Sequence, residues 1–235
     1  MKNDYVIGVL GGMGTYATIN LFKQYASVFS AEKEWDRPRI IIDNRCTMPS
    51  RVRAYIYKEN VPQLVNEMAD SISGLIKMGG TKRLILACNT SHLFLPEIYE
   101  KVPEAKNKVI SIIDECVKRI AEDCVKKVYL LGSEGSIDSG VYQAALSEFG
   151  IECIAPGKEE YGLLRECIEA VKQNKYSDEI EVVFNILMHK YDLPYILGCT
   201  ELPILYEKYL LNSGIKVYDP LLITLQQLKE EFDNE

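Results

Sequence analysis

Two cysteines stand out by type, neighbours and position. Cys88 lies in LACNTSH and Cys199 in LGCTELP, each after a short apolar run and before a helix-like stretch. A thiol at a helix start ionises more readily than a free one. Two such thiols facing opposite sides of one small molecule could invert a tetrahedral carbon. One thiolate removes a proton from one face, and the other thiol returns a proton to the opposite face. Serine could not act as the base, because its hydroxyl is far too weak an acid. The resulting carbanion needs stabilisation as an enediolate. Backbone N–H groups of Asn89, Thr90 and Thr200 at helix N-termini suit that charge. The commoner fate of a free cysteine is burial, and that reading is assigned to Cys46, Cys116, Cys124, Cys153 and Cys167. His92, four residues after Cys88, either tunes that thiol or serves as a core or capping histidine. Asn44 either lines the site or belongs to turn chemistry.

The elements that must position these residues alternate. Residues 5–10 (YVIGVL) read as a strand, GGMG as a turn, and 15–30 as a helix through Ile19, Leu21, Phe22 and Tyr25. RIIID (39–43) is a second strand, 61–77 a helix, RLILAC (83–88) a third strand, and VISII (109–113) a fourth followed by a helix to about 122. Such alternation predicts a parallel sheet covered by helices, with ligand chemistry at the carboxyl ends of its strands. The pattern then restarts. VYLLGSEGSIDSGVYQAAL (128–146) parallels residues 6–22, YILGCTELPIL (195–205) parallels 84–98, and KVYDPLLITLQQL (216–228) parallels 108–120. The expected fold is therefore α/β, with two similar doubly wound, Rossmann-like parallel-sheet domains related by a pseudo-two-fold and an active site in the cleft between them. Residues 1–115 plus 209–235 form one domain, with a returning C-terminal helix, and 116–208 form the other.

LACNTSH and LGCTELP, together with IGVLGGMG at the start, resemble the aspartate/glutamate racemase superfamily over essentially the whole chain. Glu201, following Cys199-Thr200, looks like the aspartate-racemase branch; glutamate racemases usually carry His there. The resemblance implies racemisation of aspartate, or else glutamate, by thiol/thiolate proton transfer. It implies work without pyridoxal phosphate or metal, and a homodimer. MPSRVRAYI (48–56) is similar to a loop whose arginine binds a substrate carboxylate, with Ser50 in place of the usual Asp. Arg51 is preferred, and Arg53 competes. Met13 and Gly14 would lie against the ligand, Ser133 and Ser136 would hydrogen-bond it, and Lys172, with Lys175 as its rival, would reach its second carboxylate. Thr200 and Glu201 complete the implied substrate-binding set. Helix capping remains the alternative for the serines, and a solvated helix position for the lysine. Related two-cysteine enzymes act on other small acids such as maleate or on hydantoins.

One rival starts from the loop instead. Gly12-x-Gly14-x-x-Ala17 after a strand, with Asp43 ending the next strand, fits a dinucleotide fingerprint and hence a nicotinamide-dependent oxidoreductase. That reading explains one loop and leaves the cysteine pair and the second Gly-containing turn without use.

Composition narrows the partners. The chain has 235 residues, 47% of them hydrophobic, and a formal net charge of −7. With no basic block, it is a poor partner for nucleic acid or an anionic membrane. The N-terminal stretch has one Lys, then Asp4 and a short apolar run, which does not read as a signal peptide. Two histidines and no C-x-x-C leave little for a zinc site. Seven dispersed cysteines fit free thiols in a reducing cytoplasm.

Overall fold

The computed structural model describes residues 4–78 and 80–235. The chain divides into two compact units. One comprises the described residues up to Ile112 with Leu221–Glu235, and the other is Ile113–Pro220.

In the first unit the elements run β1 (Val6–Gly11), α1 (Thr15–Val28), β2 (Arg39–Asn44), α2 (Arg51–Tyr57), α3 (Val61–Lys77), β3 (Arg83–Leu86), α4 (Leu95–Lys101) and β4 (Val109–Ile110). Helix α5 (Ile112–Glu122) spans the crossing. The second unit continues with β5 (Lys127–Gly132), α6 (Glu134–Asp138), α7 (Val141–Glu148), β6 (Glu152–Ile154), α8 (Tyr161–Lys172), α9 (Asp178–Met188), β7 (Tyr195–Gly198), α10 (Leu202–Tyr209) and β8 (Val217–Tyr218). Helix α11 (Pro220–Asp233) returns to the first unit.

Each unit holds one four-stranded parallel sheet, in the orders β2-β1-β3-β4 and β6-β5-β7-β8. The order is the same in both, so β3 and β7 occupy equivalent places, as do β1 and β5. The central strands are buried throughout, as parallel strands covered on both faces must be. Helix α3 shows how the cover forms. Pro62 suits the first helical turn, and Leu64, Val65, Met68, Ile72 and Leu75 form one buried stripe. That stripe packs on Leu10, Leu84 and Leu86 of the sheet.

Several sequence expectations need correction. VISII is not a five-residue strand: pairing ends at Ile110, and α5 has begun by Ile112. Ile112, Ile113, Cys116, Val117 and Ile120 make one buried helical face, and that spacing outweighs the β-branched composition. The chain re-enters the first unit after Pro220, later than residue 209, because Val217 and Tyr218 of β8 pair with Tyr195 and Ile196 of β7. Strand β3 stops at Leu86, two residues before Cys88. The segment 48–56 is a loop only as far as Ser50, whose side chain accepts from Arg53 N–H and caps α2. No helix among the described residues is long and apolar enough to cross a membrane.

Candidate functional site

In the first unit, Cys88 is half-buried just beyond β3. Its N–H donates to Leu86 O at 2.8 Å. A short 3-10 turn, Thr90–Phe94, follows it rather than an α-helix, with Asn89, Thr90 and Ser91 all buried. Ser91 Oγ donates to Cys88 O at 2.5 Å, and His92 Nδ1 lies 3.0 Å from the same carbonyl. His92 Nε2 accepts from Ile112 N–H at 3.4 Å. With Nδ1 facing an acceptor and Nε2 facing a donor, the ring matches the neutral Nδ1–H form. His92 thereby joins the Cys88 turn to the start of α5, the structural one of its two sequence readings.

The β1–α1 turn lies beside this strand end. Gly12 adopts φ +77°, and a Cβ there would sit 2.4 Å from the Arg45 carbonyl carbon. The glycine is therefore required where two backbones touch. Thr18 closes the turn: its Oγ1 accepts from Gly12 N–H and donates to Gly14 O, both at 3.1 Å. Gly14 takes the N-cap position of α1. The Met13 side chain is buried among Met48, Leu64 and Met68, and its carbonyl accepts from Arg51 Nη2 at 2.7 Å. Arg51 Nη1 also donates to Pro49 O at 3.0 Å, while its buried Nε has no hydrogen-bond partner. Arg53 is engaged differently. Its Nε and Nη2 both reach Glu59 at 2.7 Å, a two-point ion pair on the surface. Asn44 Nδ2 donates to Thr15 Oγ1 at 3.4 Å.

In the second unit, Cys199 follows β7 directly and is also half-buried. Its Sγ donates to Glu201 Oε2 at 3.0 Å, and Thr200 Oγ1 donates to the same oxygen at 3.4 Å. Glu201 is only 2% exposed, at the N-cap of α10, and its Oε1 has no hydrogen-bond partner. Lys172, at the end of α8, donates to Glu169 at 2.9 Å. Burial would lower its ammonium, but Glu201 and Cys199, ahead of Glu169, outweigh this and hold it above the usual lysine range. Lys172, Glu201 and Cys199 thus form one group. Ser133 caps α6 by accepting from Ser136 N–H at 3.3 Å, and the two hydroxyls lie 3.1 Å apart. The capping residue of this turn is Ser133; Ser136 lies buried inside the helix.

The other cysteines divide in two. Burial pushes the Cys116 thiol well up, and pushes Cys153 and Cys167 to about 12. Cys46 and Cys124 are exposed rather than buried, contrary to the sequence reading. Among the described residues, no group of three or more His, Cys, Asp or Glu is placed to hold a metal ion. Sequence reasoning missed Thr18, whose spacing from Gly14 is the only local sign of its role. It also missed the bond from Cys199 to Glu201, which the two-residue spacing could have suggested.

Comparison with known proteins agrees with this arrangement. A broad specificity amino-acid racemase of Bacillus subtilis is 26% identical over 189 residues, covering 77% of this chain and 78% of that protein. A glutamate racemase of Aquifex aeolicus is 27% identical over 205 residues, covering 83% of this chain and 74% of that one. The solved structure of an aspartate racemase from Picrophilus torridus superposes with a TM-score of 0.78 at 24% identity, over 97% of this chain and 98% of that one, a likeness of fold. The model of the Asp/Glu/hydantoin racemase family matches residues 10–228, a span that takes in both sheets, both Gly-containing turns and both cysteine segments. The chain belongs to the Asp/Glu/hydantoin racemase family.

Proposed function

We propose that this racemase interconverts L- and D-aspartate, with glutamate as the second candidate, using Cys88 and Cys199 as its acid/base pair. The observation that carries the reading is positional. Each thiol is half-buried just past the carboxyl end of the equivalent strand in its own sheet, β3 or β7. Two-base inversion requires both thiols to reach one α-carbon from opposite faces. The thiolate takes the α-proton, the electron pair moves into the substrate carboxylate as an enediolate, and the opposite thiol protonates the carbon. Backbone N–H groups of Asn89, Thr90 and Thr200 stabilise that charge. No pyridoxal phosphate is needed when two thiols supply the base and the acid.

The remaining residues take supporting roles. Arg51 binds the distal carboxylate, and the buried Nε without a partner supports this assignment over Arg53. Lys172 carries the second positive charge. Glu201 acts through Cys199, holding its proton, rather than on the substrate. Ser133, Ser136, Met13 and Gly14 shape the two turns. Seven free thiols suit a reducing compartment, and we place the enzyme in the cytoplasm.

The test is incubation with L- or D-aspartate in deuterated water, without added pyridoxal phosphate and with hydroxylamine to scavenge traces. Deuterium at Cα with inversion is expected, and Cys88→Ser and Cys199→Ser should each abolish inversion. Racemisation that persists in Cys88→Ser, or that needs pyridoxal phosphate, overturns the proposal. The similarity to a broad specificity racemase favours a second reading, a wider substrate range. A panel of amino acids in the same assay decides it by relative kcat/KM.

A further inference from the structure

The open edge of the first sheet offers a binding surface. Strand β2 is outermost in the order β2-β1-β3-β4. Arg39 N–H donates to Tyr5 O at 3.1 Å, on the β1 side. Along a parallel strand, residues alternate in the side to which they turn their N–H and C=O. Ile41 and Asp43 therefore also face β1, whereas Ile40 and Ile42 direct theirs to the open edge. That edge lacks the usual safeguards. The strand is six residues long, has no internal proline, and its middle is three isoleucines. Beside it, Ile19 and Phe22 of α1 are 48% and 49% exposed, and Trp35 is 73% exposed. Phe22, Trp35, Pro38 and Ile40 line one hollow of about 370 Å³, so the apolar patch is continuous with the edge. Exposed aromatic and aliphatic side chains beside an unpaired strand mark an association surface.

The sequence of β2 itself selects the occupant. RIIID is charge-complementary to its own reverse. Consider an antiparallel copy related by a two-fold axis at Ile41. Arg39 then meets Asp43 of the second copy, Asp43 meets Arg39, and Ile40 meets Ile42. In that register the hydrogen-bonded pairs are Ile40 with Ile42, the residues whose polar groups already face outward. The Arg39–Asp43 pairs are of the unbonded kind, where side chains approach most closely. Neither Arg39 nor Asp43 takes part in an ion pair among the described residues of this chain.

We infer that β2 is a homodimer seam. A second copy of this chain adds its own β2 antiparallel about Ile41, joining two four-stranded sheets into one of eight, and the Ile19, Phe22 and Trp35 patches close around the join. An isologous contact of this kind is self-limiting, which answers the aggregation hazard of an open edge.

Sedimentation equilibrium on the full chain tests the inference, with circular dichroism and melting confirming that each variant folds. The wild type is expected at twice 26.7 kDa. Arg39→Asp and Asp43→Arg each set like charges opposite at two symmetric places. Each should raise the dimer dissociation constant roughly tenfold or more. The double variant Arg39→Asp/Asp43→Arg restores opposite charges and should recover the dimer. Ile42→Pro removes an outward N–H while sparing the ladder to β1, and should yield monomer. If that variant fails to fold, the charge exchange decides alone. A monomeric wild type overturns the proposal. So does a dimer unmoved by either single charge reversal, or a double variant that stays as weak as the singles.

Discussion

A thiol that donates to a buried carboxylate keeps its proton while the carboxylate remains charged. Cys199 is in that position, with Glu201 Oε2 at 3.0 Å, and Lys172 offsets the charge of the carboxylate. Cys88 has a different setting, in which its backbone carbonyl rather than its sulfur receives the neighbouring Ser91 and His92. The pair is thus asymmetric, one member being tied to a carboxylate. Glu201→Gln keeps the shape and removes the charge. It should lower kcat on the order of tenfold with KM little changed. A negative neighbour disfavours a thiolate, so its removal eases ionisation of Cys199. The limb of the pH–rate profile that reports Cys199 should therefore move to lower pH. An unmoved limb would place Glu201 outside the proton path. The thiols themselves were legible in the sequence because a cysteine after an apolar strand and before Asn or Thr is a local pattern, repeated twice. The reach of Glu201 back to Cys199 depends on the turn geometry between them, which residue types alone do not specify.

At the scale of elements, the assignment of the carboxylate-binding arginine rests on where α2 begins. Ser50 caps that helix, so Arg51 opens its first turn beside the Met13 carbonyl, whereas Arg53 points to solvent and closes on Glu59. Arg51→Ala should raise KM for aspartate at least tenfold with little change in melting temperature. Arg53→Ala removes only an exposed ion pair and should leave KM within about twofold. Steady-state kinetics on the two variants checks this; the reverse ranking would move the site by two residues. The sequence could not rank these arginines, because the deciding partner, Met13 O, is 38 positions away. Strand ends were similarly hidden. Val109–Ile113 is a short apolar run that suits a strand or a buried helix start, and only the continuation through Cys116, Val117 and Ile120 separates them. Strand β6, three residues with Glu152 and Cys153 in it, carries too little pattern to be seen.

Over the whole molecule, the repeat of strand, turn and helix was readable because both halves reuse the same punctuation, and the two sheets share one strand order. What the sequence concealed was the ownership of the last segments: β8 stays with the second unit, and α11 leaves it. Phe232 of α11 stacks edge-on against Tyr5 at 5.5 Å and Phe29 at 6.0 Å, and Arg83 meets Glu231 at 2.9 Å. Phe232→Ala should cost about 3 kcal/mol in urea unfolding, the usual loss for an aromatic core truncation. A loss under about 1 kcal/mol would show that the first unit holds without this helix. The return of α11 also orders events during synthesis. Domains generally fold as units, the N-terminal one first, as the chain leaves the ribosome. Here Ile113–Pro220 emerges complete while the first unit still lacks Leu221–Glu235. The earlier-made half must therefore wait, with the seat for Phe232 open, until the later-made half has been translated. The unit that starts first finishes last.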